Sequence, residues 1–117
     1  MVKQLDNPLD AVFQALSDPT RRDMLGKLAL REHSISELAA PHDMSLAAAS
    51  KHVKVLERAG LVFRSKTGRT HYCRLNPRPL AEAEAWLRYY ERFWNQRLDA
   101  LENLLRTEDN HRGEEES

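Results

Sequence analysis

Residues 45–60 read SLAAASKHVKVLERAG, a stretch that carries a helix together with both of its ends. Ser45 suits the N-cap, because its hydroxyl can accept a bond from an early helical N–H. Gly60 follows the last periodic residue, where the left-handed backbone of a C-cap costs glycine least. Leu46, Ala49, Val53 and Leu56 recur at steps of three and four, so one face is apolar. The opposite face holds Ala47, Ala48, Ser50, Lys51, His52 and Lys54, with no acid before Glu57. Small side chains there admit close approach of another surface, and hydroxyls and amines match phosphates and base edges. Any amphipathic surface helix also has a solvated polar face, so the flanking sequence decides between the two readings.

Charge shifts the balance. The chain of 117 residues is formally neutral, with 18 basic and 18 acidic side chains. Residues 45–78 nevertheless hold eight Lys and Arg against Glu57 alone, a local charge of +7. A basic block of this kind is the electrostatic footprint of a polyanion ligand, whatever the total charge. The length bounds one domain with a modest core. No apolar run approaches the ~20 residues that cross a bilayer, and MVKQLDNPLD lacks a secretory core. The single cysteine, Cys73, excludes an intrachain disulfide and fits a reducing compartment, so a cytoplasmic protein is expected.

Upstream, residues 1–7 show no periodicity and are expected to be flexible. Leu9, Val12, Phe13 and Leu16 have helical spacing behind an Asn7-Pro8 start. Ser17-Asp18-Pro19 ends that helix and caps the next, which buries Met24, Leu25 and Leu28. Arg21 and Arg22 fall in its first turn, where cations meet the positive end of the helix dipole; a nearby anion or plain solvent exposure would account for them. Ser34-Ile35-Ser36-Glu37 is a capping box opening a short helix that Pro41 terminates. A short helix, a tight turn and a longer helix with a small-residue start spell a helix-turn-helix.

Downstream, residues 61–66 and 70–75 are β-rich runs separated by Thr67-Gly68-Arg69, which predicts a two-stranded hairpin with basic residues near its tip. A long helix follows from near Leu80. Leu87, Tyr90, Trp94, Leu98, Leu101 and Leu105 continue its stripe over about 26 residues, or about 40 Å, more than a small domain covers alone. A second copy is its natural partner. Residues 107–117, TEDNHRGEEES, are acidic and polar and are expected to form a disordered tail after a folded domain at 8–106.

The combination ALSDPTRRDML, SISELAA, MSLAAASKHVKVLERAGLV, the glycine-tipped basic hairpin and YCRLNP resembles the ArsR/SmtB family of winged helix-turn-helix transcriptional repressors, from about Leu9 to Leu105. The stretch at 79–105 is similar to a non-metal-sensing subgroup. The resemblance implies a mainly α fold of five helices with a two-stranded β wing, acting as a homodimer on double-stranded DNA. It puts helix contacts at Ser45, Ala47, Ser50, Lys51, His52 and Lys54, beside Ala48 on the same face, and wing contacts at Arg64, Lys66, Arg69 and Thr70. The dimer surface it implies falls on the first and last helices: Leu9, Val12, Phe13 and Leu16, then Leu87, Tyr90, Trp94, Leu98, Leu101 and Leu105.

The chain departs from the family's metal sensors. Where those carry a Cys-x-Cys pair it has Ser34 and Ser36, whose hydroxyls are poor ligands for soft cations. Between Pro79 and Asp109 it has no histidine. No metal and no cofactor are expected, while a small-molecule effector stays open, as does a wing that binds protein instead of DNA. No glycine-rich phosphate loop, nucleophile–base pair or carboxylate dyad suggests an enzyme.

Overall fold

Helix α4, Leu46–Arg58, buries Ala49, Val53 and Leu56 at the centre of the core. A computed structural model describes residues 7–116, with side chains through Asp109. Residues 1–6 of the segment expected to be flexible lie outside the described residues. Around α4 pack α1 (Pro8–Leu16), α2 (Pro19–Leu30) and α3 (Ile35–Ala39), contributing Ala15, then Met24, Leu25 and Leu28, then Leu38. Strands β2 (Val62–Thr67) and β3 (Thr70–Leu75) close it with Val62 and Cys73, and α5 covers Arg78–Glu116. These five helices and the antiparallel hairpin make a winged helix-turn-helix.

Each boundary follows from a local cause. The side chains of Asn7, Asp18, Ser34 and Ser45 all accept from the backbone N–H two or three residues on. At Ser34 the capping box is complete, the Ser34 N–H donating to Glu37 Oε1 at 3.0 Å and the Glu37 N–H to Ser34 Oγ at 3.1 Å. Helix α4 ends in a Schellman motif: the Gly60 N–H donates to the Glu57 carbonyl and the Leu61 N–H to that of Leu56, with Gly60 at φ 76°. Asn76 then ties the hairpin back to that end. Its Nδ2 donates to the Gly60 carbonyl and its N–H to that of Leu61, both at 2.8 Å.

Several expectations are corrected. The sheet has three strands, not two: β1, His33–Ser34, pairs antiparallel with β3 in the order β1-β3-β2. A two-residue strand is too short to show periodicity, and Ser34 advertises only its cap. Leu46, assigned to the apolar stripe, is 57% exposed because it lies on the first turn, before α4 meets the core. Val12, assigned to the dimer surface, is 2% exposed within the single chain and belongs to its core. Helix α5 continues through 107–116, where composition alone predicts disorder; adding residues to a helix already nucleated is far easier than starting one.

The chain divides into two units, at 1–83 and 84–117. In the first, Ala83 is buried and Leu80 packs against the core. In the second, Trp86 packs tilted and Tyr89 edge-on against Tyr90, while Leu98, Leu101, Leu104 and Leu105 are more than half exposed.

Candidate nucleic-acid interface

The face of α4 turned from the core carries the residues singled out above. Ala47, Lys51 and Lys54 are exposed, Ala48, Ser50 and His52 half-buried. Among the described residues neither lysine has an acidic partner, so both amines are free for an anion. Ser45 is exposed too, but its Oγ already accepts from the Ala48 N–H at 3.1 Å, which leaves only its O–H to donate outward. The turn before α4 is set by Asp43 in the left-handed region, φ 49°. It is clamped to α2 by His42, whose Nε2 lies 2.6 Å from Asp23 Oδ2. Lys27 Nζ meets the same oxygen at 2.6 Å, and hydrogen bonds from Lys27 and then His42 hold the Asp23 carboxyl below its usual range.

The wing supplies the second half. Thr67 pairs with Thr70 around Gly68 at φ 63°, leaving Lys66, Arg69 and Thr70 exposed at the tip. Between α3, the start of α4 and this tip lies a cleft of about 240 Å³, open to solvent. Ser36, Leu46, Ser50, Arg69 and His71 line it, and His71 Nδ1 is buried without a hydrogen-bond partner among the described residues. Ser36, Leu46 and His71 were missed from sequence; the alternation that puts His71 on the face of Cys73 was the available signal.

Arg64 is not where a wing contact needs it. Strand alternation turns it inward with Val62, its side chain only 18% exposed and Nη2 3.4 Å from Glu57 Oε1. Lys66, on the same face, escapes because it sits beyond the helices at the tip. Arg21 has Asp18 as a nearby anion, Nη1 standing 4.0 Å from its Oδ2, and Arg22 is exposed to solvent; both also reach the end of α1. Arg21 donates to the Gln14 and Ala15 carbonyls, and Arg22 to that of Leu16. Both cap the negative end of α1. Cys73 is fully buried, and desolvation pushes its thiol pKa up.

Among the described residues no three His, Cys, Asp or Glu side chains converge on a possible metal position, and no helix is long and apolar enough to cross a membrane.

Comparison with known proteins bears on the same elements. The family description "Helix-turn-helix domain" matches residues 16–62, from the end of α1 into β2. The HTH-type transcriptional regulator Rv2034 of Mycobacterium tuberculosis (strain ATCC 25618 / H37Rv) is 35% identical over 99 residues, spanning 85% of this chain and 90% of that protein. The transcriptional repressor SdpR of Bacillus subtilis (strain 168) is 29% identical over 79 residues, 68% of this chain and 88% of its own. A crystal structure of an ArsR family transcriptional regulator superposes with a TM-score of 0.72 at 39% identity, covering 81% of this chain and 97% of that one. The fold, the helix-turn-helix and these similarities agree: the chain belongs to the ArsR family of winged helix-turn-helix transcriptional regulators.

Proposed function

We propose that this DNA-binding repressor acts as a homodimer on a pseudo-palindromic operator, one half-site per subunit, and controls its own expression. The observation that carries the reading is the joint exposure of Lys51 and Lys54 on α4 with Lys66 and Arg69 on the wing. Helix α4 enters the major groove; Ala47, Ala48, Ser50, Lys51 and His52 meet base edges, and Ser45 and Lys54 the adjoining backbone. Lys66, Arg69 and Thr70 lie against flanking phosphates. Arg64, tied to Glu57, is left out of the contact set. The second copy is seated by the apolar stripe of α5, at Leu87, Tyr90, Trp94, Leu98, Leu101 and Leu105, with Leu9, Phe13 and Leu16 of α1.

Regulation is independent of metal in this reading. Ser34, at one of the two positions where metal sensors carry thiolates, spends its hydroxyl on the α3 cap, and hydroxyls bind soft cations poorly. The test is a gel shift with the DNA flanking the gene, repeated over a salt series. Wild type should shift it with an affinity that falls steeply with salt. The Lys51→Ala, Lys54→Ala double variant should lose about tenfold or more and show a shallower salt slope, roughly one unit per phosphate contact removed. Unchanged affinity and slope in a folded double variant overturn the contact assignment. A wild type that shifts no DNA at low salt favours a wing that binds protein.

A further inference from the structure

Arg21 lies on α2, yet one N–H of its guanidinium reaches a side chain of α4. Its Nε donates to the Ala15 carbonyl at 2.8 Å and Nη2 to that of Gln14 at 3.1 Å, and its backbone N–H is taken by Asp18 Oδ1 at 3.1 Å. With the side chain 13% exposed and held at several points, the guanidinium has one orientation. Nη1 is thereby aimed at His52, 3.2 Å from Nδ1.

An arginine has five donors, no acceptor, and does not deprotonate in proteins. His52 Nδ1 accepts from it in the tautomer that carries its proton on Nε2. Nε2 has no partner among the described residues, and His52 is half-buried at the flank of α4, three residues after buried Ala49 and four before buried Leu56. We propose that Arg21 is a positioning residue that fixes the His52 tautomer, so that α4 presents an Nε2–H donor to a hydrogen-bond acceptor on a base edge. In the major groove the acceptors are N7 of either purine, O6 of guanine and O4 of thymine, whereas cytosine offers its N4 amino donor. His52 therefore selects against cytosine at its position and favours guanine, which carries two acceptors side by side.

This rests on the DNA-binding reading, and the experiment separates the two. The full chain labelled with ¹⁵N-histidine is examined by two-bond ¹H–¹⁵N correlation, and DNA is selected from a randomised pool. Wild type should show the Nε2–H pattern for His52 and select one acceptor base at a fixed place in each half-site. His52→Ala should lose that preference by about tenfold and keep the others; His52→Gln, whose side-chain amide can offer an N–H donor, should retain it. Arg21→Met should mix the tautomers and blur the same position. Because that variant removes two helix-end bonds and could unfold, the wild-type spectrum and the His52 pair decide independently of it. An Nδ1–H or doubly protonated ring in wild type overturns the inference. So does a His52→Ala selection identical to wild type, or one weakened equally at every position as a phosphate contact would be. A wild type that selects no DNA sinks the regulator reading and the donor role together, whereas a wild-type selection that His52→Ala reproduces sinks only the latter.

Discussion

Single side chains here divide by what they touch, and residue type alone does not sort them. Lys51 and Lys54 are free while Arg64, equally basic, is held by Glu57. Cys73 is buried, with a thiol pushed up by desolvation. It should react with a thiol reagent at neutral pH far more slowly in the native protein than in denaturant; equal rates would show that the strand opens. Cys73→Ser should cost about 1–3 kcal/mol, because a hydroxyl loses more on burial than a thiol does; a denaturant midpoint unchanged from wild type would contradict that. Asp23 gives a pH prediction. Its carboxyl is depressed in the folded chain by Lys27 and His42, so its contribution is present above the unfolded carboxylate's range. It is lost as pH falls through the depressed value. Asp23→Asn should lower stability at pH 7 and flatten the acid limb of the stability curve, as read by thermal melts across pH.

Elements owe their ends to a few positions. Gly60 adopts φ 76° in the Schellman turn that sends the chain from α4 into the wing, and a Cβ there would stand 3.5 Å from Pro79 Cγ. That contact is tolerable; the left-handed backbone is what resists substitution. Gly60→Ala should cost about 1–2 kcal/mol in urea denaturation, whereas Gly26→Ala, mid-helix with open space around its Cβ, should gain about 1 kcal/mol or less. The capping residues and the hairpin turn were legible from sequence because each is a local pattern of two to five residues. Strand β1 was not, since a two-residue strand exists only by pairing His33 with Cys73 and Ser34 with Tyr72.

For the whole molecule, the exposed stripe of α5 is the feature a single chain leaves unanswered. Leu98 at 62% exposure and Leu101 at 53% lie beyond the unit that contains the core. On the proposed dimer, Leu98→Glu with Leu101→Glu should shift sedimentation from dimer to monomer and weaken operator binding at least tenfold, because each subunit is proposed to hold one half-site. The melting of the winged unit should change little. A dimer that persists in the double variant would move the interface elsewhere. Among the interface candidates on α1, Val12 is already spent on the chain's own core, and Leu16 packs partly against it.

Sequence by itself determined the order of the five helices and the hairpin, the caps, the turn grammar and the basic block at 45–78, since these depend on neighbours within a turn or two of the chain. Tertiary structure decided which of the cations are free. It set Arg21 and Arg22 on the end of α1, drew Arg64 under the wing, and brought Arg21 to His52 across 31 positions. Partners so far apart in the chain are chosen by how helices pack, and no local spacing records that choice.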